Sequence, residues 1–148
     1  MSDIKRQLTR LGNRAAVWLY RVLGGRGSSG KKGVQVLVIT TSGRRTGLPR
    51  STCVRYLVTS GGFLVWGTGS GSTTDPDWFR NLRAVTVANV QTGAKRQLVR
   101  PRELLGEERD AMWETVVLAQ APEVARYAHR ANRAIPVAVL APLEVESA

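Results

Sequence analysis

The sequence predicts a mainly β domain of the α+β class, built on an antiparallel barrel with flanking helices. Short segments rich in Val, Ile, Thr, Tyr and Trp follow one another along the chain, and Gly-bearing turns separate several of them. Most of these segments are neighbours in sequence, which favours an antiparallel barrel over a parallel sheet. The predicted strands, about six in number, are residues 34–41, 51–59, 62–67, 84–90, 95–101 and 135–141.

Helical spacing is strongest near the start of the chain, where residues 3–23 place apolar side chains in steps of three and four. Basic residues occupy the other faces of this predicted helix, and Gly24-Gly25 ends it. Further helices are expected over residues 76–82, 102–119 and 122–132, the first with Asp75 as its N-cap. The apolar face of the first helix consists of Ile4, Leu8, Leu11, Ala15, Trp18, Leu19 and Val22.

Two interpretations of the N-terminal helix compete. The favoured one is a helix that closes over the core of its own domain, because amphipathic helices usually serve their own fold. The alternative is a basic amphipathic helix that contacts an anionic bilayer, with Trp18 and Tyr20 at the interface.

At 148 residues the chain is expected to form one domain around a single core. In this interpretation residues 1–32 form the helix and a connector, and residues 33–148 form the barrel with its helices. The net charge of +11 is concentrated in residues 1–50, which carry 11 Lys/Arg and one Asp/Glu. Such a field attracts an anion, although no recognised nucleic-acid motif supports nucleic acid as the partner. The sequence is compatible with both a monomer and a dimer.

Cysteine and histidine usage limits the chemistry. Cys53 is the only cysteine, which excludes an intrachain disulfide, and His129 is the only histidine, so no metal site is expected. Because no acid–base pair is evident either, an enzyme built on this chain would depend on a cofactor. Neither a signal peptide nor a run of about 18 apolar residues is visible, so we expect a cytoplasmic protein with possible membrane-surface contact.

Two glycine-rich stretches are candidates for a ligand cleft. The first bends at Gly43 and Gly47 and carries several arginines, whose planar forks pair bidentately with phosphate and carboxylate. The second, residues 67–74, offers backbone N–H groups to a ring carbonyl or a phosphate. A solvated basic turn and a flexible surface loop are the alternatives, but two such loops beside barrel strands favour a cleft.

Three motifs, taken in order, resemble those of the deazaflavin-dependent nitroreductase family. They are T-S-G-R-R-T-G-L-P-R at residues 41–50, P-D-W-F-R-N-L at 76–82 and I-P-V at 135–137. The resemblance extends over nearly the whole chain and includes the leading helix, which ends W-L-Y-R-V-L-G-G-R at residues 18–26. Members of this family are split β-barrel oxidoreductases of actinobacteria that use coenzyme F-420.

The resemblance implies a split barrel whose groove holds the deazaflavin, with its phosphate and oligoglutamate tail bound by arginines of the first loop. The second loop would contact the ring through its backbone. Hydride would pass to a quinone or another electron-poor or lipophilic acceptor stacked on the ring. The implied cofactor-binding residues are Arg44, Arg45, Thr46, Gly47, Arg50, Thr68, Gly69, Ser70, Gly71, Trp78 and Asn81.

Three aromatic residues are candidates to line the acceptor pocket: Tyr56, Trp66 and Tyr127. Tyr127 is also positioned by the resemblance to donate a proton to the reduced product. Core packing explains each of the three equally well. FMN is an alternative cofactor, since it also presents a flat ring and a phosphate. The family often has a Ser-Lys/Asn-Gly-Gly run where this chain has 68–71, and this departure favours the rival of a non-catalytic barrel that binds a lipid or small ligand.

Overall fold

The structure is a computed structural model that describes residues 2–23 and 35–143, with side chains at all of these except 2–11, Leu23 and Ser70. The strands are β1 (Val36–Ser42), β2 (Pro49–Arg55), β3 (Leu57–Thr59), β4 (Gly62–Trp66), β5 (Ala88–Thr92), β6 (Lys95–Leu104) and β7 (Val137–Pro142). The helices are α1 (Ser2–Leu23), α2 (Asp77–Arg83), α3 (Gly106–Met112), α4 (Leu118–Gln120) and α5 (Val124–Ala131). A 3₁₀ turn covers Gly69–Gly71, and a π-helical turn covers Trp113–Val117.

One curled sheet contains all seven of these strands, in the order β2-β1-β5-β6-β7-β4-β3, and every pairing is antiparallel. The two strands at the ends of this order, β2 and β3, are consecutive in the chain and only Tyr56 separates them. A residue of extended chain spans at most about 3.6 Å, so the end of β2 and the start of β3 must lie close together although they belong to opposite edges of the sheet. The sheet therefore closes on itself, which confirms the predicted antiparallel barrel.

The strand count differs from the prediction because the segment 51–59 is divided at Tyr56 into β2 and β3. The backbone N–H of Tyr56 donates to the carbonyl of Gln35 at 3.1 Å, outside the β3–β4 ladder. The strand predicted at 84–90 begins only at Ala88, because the residues before it continue the turn that ends α2.

Two predicted helix starts are wrong. The helix predicted from residue 102 begins at Gly106, because residues 102–104 extend β6 and pair with β7, and a π-helical turn then interrupts it. Asp75 is not the N-cap of α2; Pro76 occupies that position without a side-chain cap. The Asp75 carboxylate instead accepts hydrogen bonds from Arg83 and Arg133 at 3.1 and 2.8 Å. The predicted helix end at Gly24-Gly25 and the connector to residue 32 lie outside the described residues.

Two apolar clusters account for most of the core. One fills the barrel with side chains such as Leu37, Ile39 and Val90 and is closed by Phe79 and Leu82 of α2. The other lies on the outer side of β4 and β7, where Trp66 and neighbouring side chains pack against α3, the π-helical turn and α5. Side chains alternate between the two faces of β4, so Val65 points into the barrel cluster and Leu64 and Trp66 point into the outer cluster.

Helix α1 packs on the outer face of β1, as the favoured interpretation expected, but by a different face. Val17 and Tyr20 contact Val38 of the sheet, whereas Trp18, Leu19 and Val22 are all at least half exposed. Tyr20 is 3% exposed, and its hydroxyl lies within 2.9 Å of the Val36 carbonyl, 3.2 Å of the Gln91 carbonyl and 2.8 Å of the Gly93 N–H. This hydroxyl selects the packed face, because it satisfies backbone groups that an apolar side chain would leave unpaired. In the described part of the chain no helix is both long and apolar enough to cross a bilayer.

The Tyr20→Phe substitution tests this anchor. We expect it to lower the free energy of unfolding by about 1–3 kcal/mol, because it leaves buried backbone groups unpaired. Burial raises the pKa of Tyr20, so its contribution is fully present below the unfolded value of about 10 and is lost as the pH rises through the folded value. Urea unfolding at several pH values measures both effects. Tyr127→Phe, at a half-exposed tyrosine, is the matched control, and equal stability losses in the two variants would refute the anchor.

Candidate cofactor site

The first glycine-rich loop connects β1 to β2 and has a defined hairpin geometry. The N–H of Gly43 donates to the Leu48 carbonyl at 2.7 Å, and the N–H of Gly47 donates to the Gly43 carbonyl at 2.8 Å. Gly47 has a φ of 72°, a conformation that disfavours residues with a Cβ. The Thr46 hydroxyl accepts from the Leu48 N–H at 3.2 Å. The turn therefore holds its own shape before any ligand binds.

Arg44 fastens this loop to helix α2. Its backbone N–H and its guanidinium both donate to the side-chain oxygen of Asn81, at 3.2 and 2.8 Å. The same guanidinium forms an ion pair with Asp77 at 3.2 Å. Asn81 is buried, so it is a fixed acceptor rather than a mobile surface group. Much of the hydrogen-bonding capacity of Arg44 is thus already used within the protein.

Arg45 and Arg50 differ from Arg44 in that their guanidinium groups are not bonded to the described protein groups. Arg45 is exposed and Arg50 half-buried, and neither side chain has a hydrogen bond or ion pair to the described residues. One guanidinium on the turn and one at the start of β2 are a suitable arrangement for binding phosphate or carboxylate. Beside the base of the turn lies a shallow groove of about 220 Å³, lined by residues that include Ser42, Pro49 and Leu98.

The second glycine-rich loop follows β4 and contains the 3₁₀ turn. Gly69 and Gly71 have φ values of 55° and 85°, which the chain adopts readily only with glycine. Arg133 donates from its guanidinium to the carbonyls of Gly67, Thr68 and Ser72 at 3.2, 3.1 and 3.0 Å. Arg133 lies two residues before the I-P-V motif and was not singled out from the sequence.

Helix α2 relates the two loops to each other. It starts a few residues after the second loop and holds the first loop through Asp77 and Asn81. Trp78 is half-buried against the barrel interior, with its ring 5.3 Å from that of Phe79 in an edge-to-face arrangement. The structure therefore brings both candidate loops and both candidate α2 residues into one region of the molecule.

The three candidate acceptor-pocket aromatics do not share one environment. Tyr56 packs against the barrel interior, with its ring 5.4 Å from Phe63, and burial raises the pKa of its hydroxyl. Trp66 lies in the outer cluster, only 6% exposed, with the Arg55 guanidinium 5.9 Å from its ring. Tyr127 is 37% exposed on α5, the helix whose buried side packs into that outer cluster. Tyr127 is therefore the most accessible of the three.

Comparison with known proteins gives the family. The model of the F420H(2)-dependent quinone reductase family matches residues 12–142. The chain belongs to this family. An F420H(2)-dependent quinone reductase of Mycobacterium tuberculosis is 29% identical, with 78% of this chain and 83% of that protein covered.

Two solved structures are similar to the chain. A structure described as an F420-H2-dependent reductase is 29% identical with a TM-score of 0.62, and the match covers 72% of this chain and 93% of that one. A domain-swapped dimer is 24% identical with a TM-score of 0.64 and 94% and 97% coverage, and supports the fold alone. The expected split-barrel fold, the oxidoreductase class and coenzyme F-420 as the cofactor are confirmed by these matches. The roles of the individual site residues remain predictions.

Proposed function

We propose that this member of the quinone reductase family binds reduced coenzyme F-420 between its two glycine-rich loops and reduces a quinone or similar electron-poor acceptor. When bound, the deazaflavin supplies the hydride. The single observation that carries the assignment of the site is the hairpin at residues 43–48, a rigid turn that carries the uncommitted Arg45 and is fastened to α2 by Arg44. An anionic cofactor fits this arrangement of donors and charge.

The arginines of the first loop divide into two roles in this proposal. Arg45 and Arg50 bind the phosphate and the oligoglutamate tail, because their forks have no protein partner among the described residues. Arg44 contributes charge and holds the loop on α2, where Asn81 accepts its hydrogen bonds. Thr46 and Gly47 shape the turn that presents Arg45, because the Thr46 hydroxyl accepts the Leu48 N–H and the positive φ of Gly47 permits the bend.

In this proposal the second loop, residues 68–71, binds the ring through its backbone, in the bent conformation that the positive φ values of Gly69 and Gly71 permit. Trp78 supports the cleft from the interior side. Tyr127 donates a proton to the reduced acceptor from its half-exposed position on α5. Tyr56 and Trp66 pack in two different apolar clusters, so in this proposal they support the region through packing and do not line one acceptor pocket together.

The decisive experiment is a fluorescence titration of the protein with coenzyme F-420, run beside FMN. Saturable binding of F-420 at micromolar concentration or tighter, without comparable FMN binding, is the expected result. Binding of FMN alone would overturn the assignment of F-420 as the cofactor. Binding of neither would leave an anion-binding barrel and favour the rival, a barrel that binds a lipid or small ligand without catalysis.

Removing charge from the first loop should weaken cofactor binding. We expect the double substitution Arg44→Ala with Arg45→Ala to raise the dissociation constant for F-420 more than about tenfold, because charge-assisted hydrogen bonds to phosphate are lost. Arg45→Ala alone should weaken binding without a loss of thermal stability, since Arg45 has no contact with α2, whereas Arg44→Ala should lower both.

The matched control for these substitutions is Arg96→Ala, an exposed arginine of β6. It changes the net charge by the same amount as either single substitution, so a purely long-range electrostatic effect would weaken binding equally in all three variants. Unchanged affinity in the double variant would remove the tail-binding assignment.

Tyr127→Phe tests the proton donor. We expect turnover with a quinone to fall by about tenfold or more, because the phenol proton is removed, with little change in the affinity for F-420. Arg126→Ala, at the exposed neighbouring residue of α5, should leave turnover unchanged. Steady-state kinetics beside cofactor titration separates the two effects, and full activity of Tyr127→Phe would return this residue to a packing role.

Membrane contact through α1 is part of the same proposal, because quinones reside in bilayers. Its support is the exposed apolar stripe of Trp18, Leu19 and Val22, which is unpartnered among the described residues and lies beside Arg14 and Arg21. Such a helix suits the anionic inner face of the cell membrane.

Vesicle sedimentation measures this contact. Wild-type protein should bind vesicles with a substantial anionic fraction more strongly than zwitterionic ones, and Trp18→Ser with Leu19→Ser should reduce that binding several-fold. Leu98→Ser, which removes an exposed apolar residue from β6 instead, is the control. Equal binding by all variants would show that α1 is not the contact.

A further inference from the structure

The second glycine-rich loop is shaped by residues distant in sequence, and Arg133 is the centre of that contact. Its guanidinium donates to the carbonyls of Gly67, Thr68 and Ser72 and, at 2.8 Å, to the carboxylate of Asp75. The side chain is 14% exposed, so these bonds are made largely away from water. A planar fork with five N–H donors can reach four acceptors at once, which a lysine ammonium with its three donors cannot.

These bonds determine which way the loop curves. Because three carbonyls converge on one guanidinium, the loop bends around Arg133, and the positive φ values of Gly69 and Gly71 permit that bend. The Thr68 carbonyl also accepts the N–H of Gly71 at 3.0 Å within the 3₁₀ turn. The loop is therefore pinned both within itself and from outside.

The segment that carries Arg133 is itself fixed. The Gly67 N–H donates to the Pro136 carbonyl at 3.0 Å, so both backbone groups of Gly67 are bonded to the connector between α5 and β7. On its other side the connector is held by Arg109, which donates two hydrogen bonds to the Ile135 carbonyl at 2.7 and 3.0 Å. The backbone segment that carries Arg133 is therefore held in place on both sides.

We propose that Arg133 is a positioning residue. It holds the ring-binding loop in its binding conformation and in a fixed position relative to α5, the helix that carries Tyr127. This inference rests on the proposed function, in which that loop contacts the deazaflavin ring. Displacing the loop would then weaken cofactor binding even though Arg133 itself donates only to the protein.

The chain offers a matched control in Arg83. Arg83 shares Asp75 with Arg133, at 3.1 Å, and its other hydrogen bonds go to Glu103 at 2.7 and 2.9 Å. The two arginines therefore belong to one ion cluster, but among the described residues it is the guanidinium of Arg133 that donates to the loop carbonyls. Arg83→Ala removes the same charge from the cluster and leaves the loop contacts in place.

The test compares Arg133→Ala, Arg133→Lys and Arg83→Ala. Three quantities are measured: the dissociation constant for F-420, the melting temperature, and the hydrogen-exchange rate of residues 67–74 in the cofactor-free protein. We expect Arg133→Ala to raise the dissociation constant roughly fivefold or more and to accelerate loop exchange. Arg133→Lys should retain the ion pair with Asp75 yet bind F-420 nearly as weakly. Arg83→Ala should lower the melting temperature with F-420 affinity within about twofold of wild type.

The outcomes separate this role from the proposed function. Wild-type binding together with unchanged affinity in Arg133→Ala would overturn the positioning role alone. An affinity loss that tracks the melting temperature equally in the Arg133 and Arg83 variants would also overturn it, since that is the signature of general destabilisation. Failure of the wild-type protein to bind F-420 would overturn the proposed function and this role with it.

Discussion

One residue, Tyr56, separates the two strands that lie at opposite ends of the sheet order, and the shape of the molecule depends on this connection. A chain segment so short forces the sheet to curl until its edges meet. Curling creates the interior that Leu37, Ile39 and Val90 fill and that α2 closes. With α2 in that position, Asp77 and Asn81 can hold the hairpin after β1, so the candidate site follows from the closure of the sheet.

The arginines of this basic protein have two different uses. Arg44, Arg109 and Arg133 direct their guanidinium groups into the protein, where they bind an amide oxygen, carboxylates and backbone carbonyls. Each joins elements that are far apart in sequence, so much of its hydrogen-bonding capacity is used to hold the fold together. Arg45 and Arg50 keep their charge available at the surface. The net charge of +11 consequently overstates the positive charge available to an anionic partner, since several cations are compensated locally.

Sequence patterns predicted the elements and the family well, and failed where the deciding contact is distant in the chain. The alternation of β-type residues predicted the strands, but residues 51–59 read as one strand because nothing local marks the break at Tyr56. Hydrophobic spacing selected the wrong face of α1, since the hydroxyl of Tyr20 and its backbone partners determine the packed face. Arg133 was missed because its carbonyl partners lie more than 60 residues away, and local composition carries no signal of such contacts.

Strand β7 is the last strand of the sheet to be synthesised, yet it lies between β6 and β4 in its middle. Its pairings join residues as distant as Phe63 and Leu140, and without it the set β2-β1-β5-β6 has no ladder to the β4-β3 hairpin. A nascent chain that still holds its C-terminal segment in the ribosome therefore exposes two unpaired strand edges and an open interior. Closure of the barrel therefore requires β7 to have emerged from the ribosome, and the long-range pairings it makes slow that step for a domain of this size.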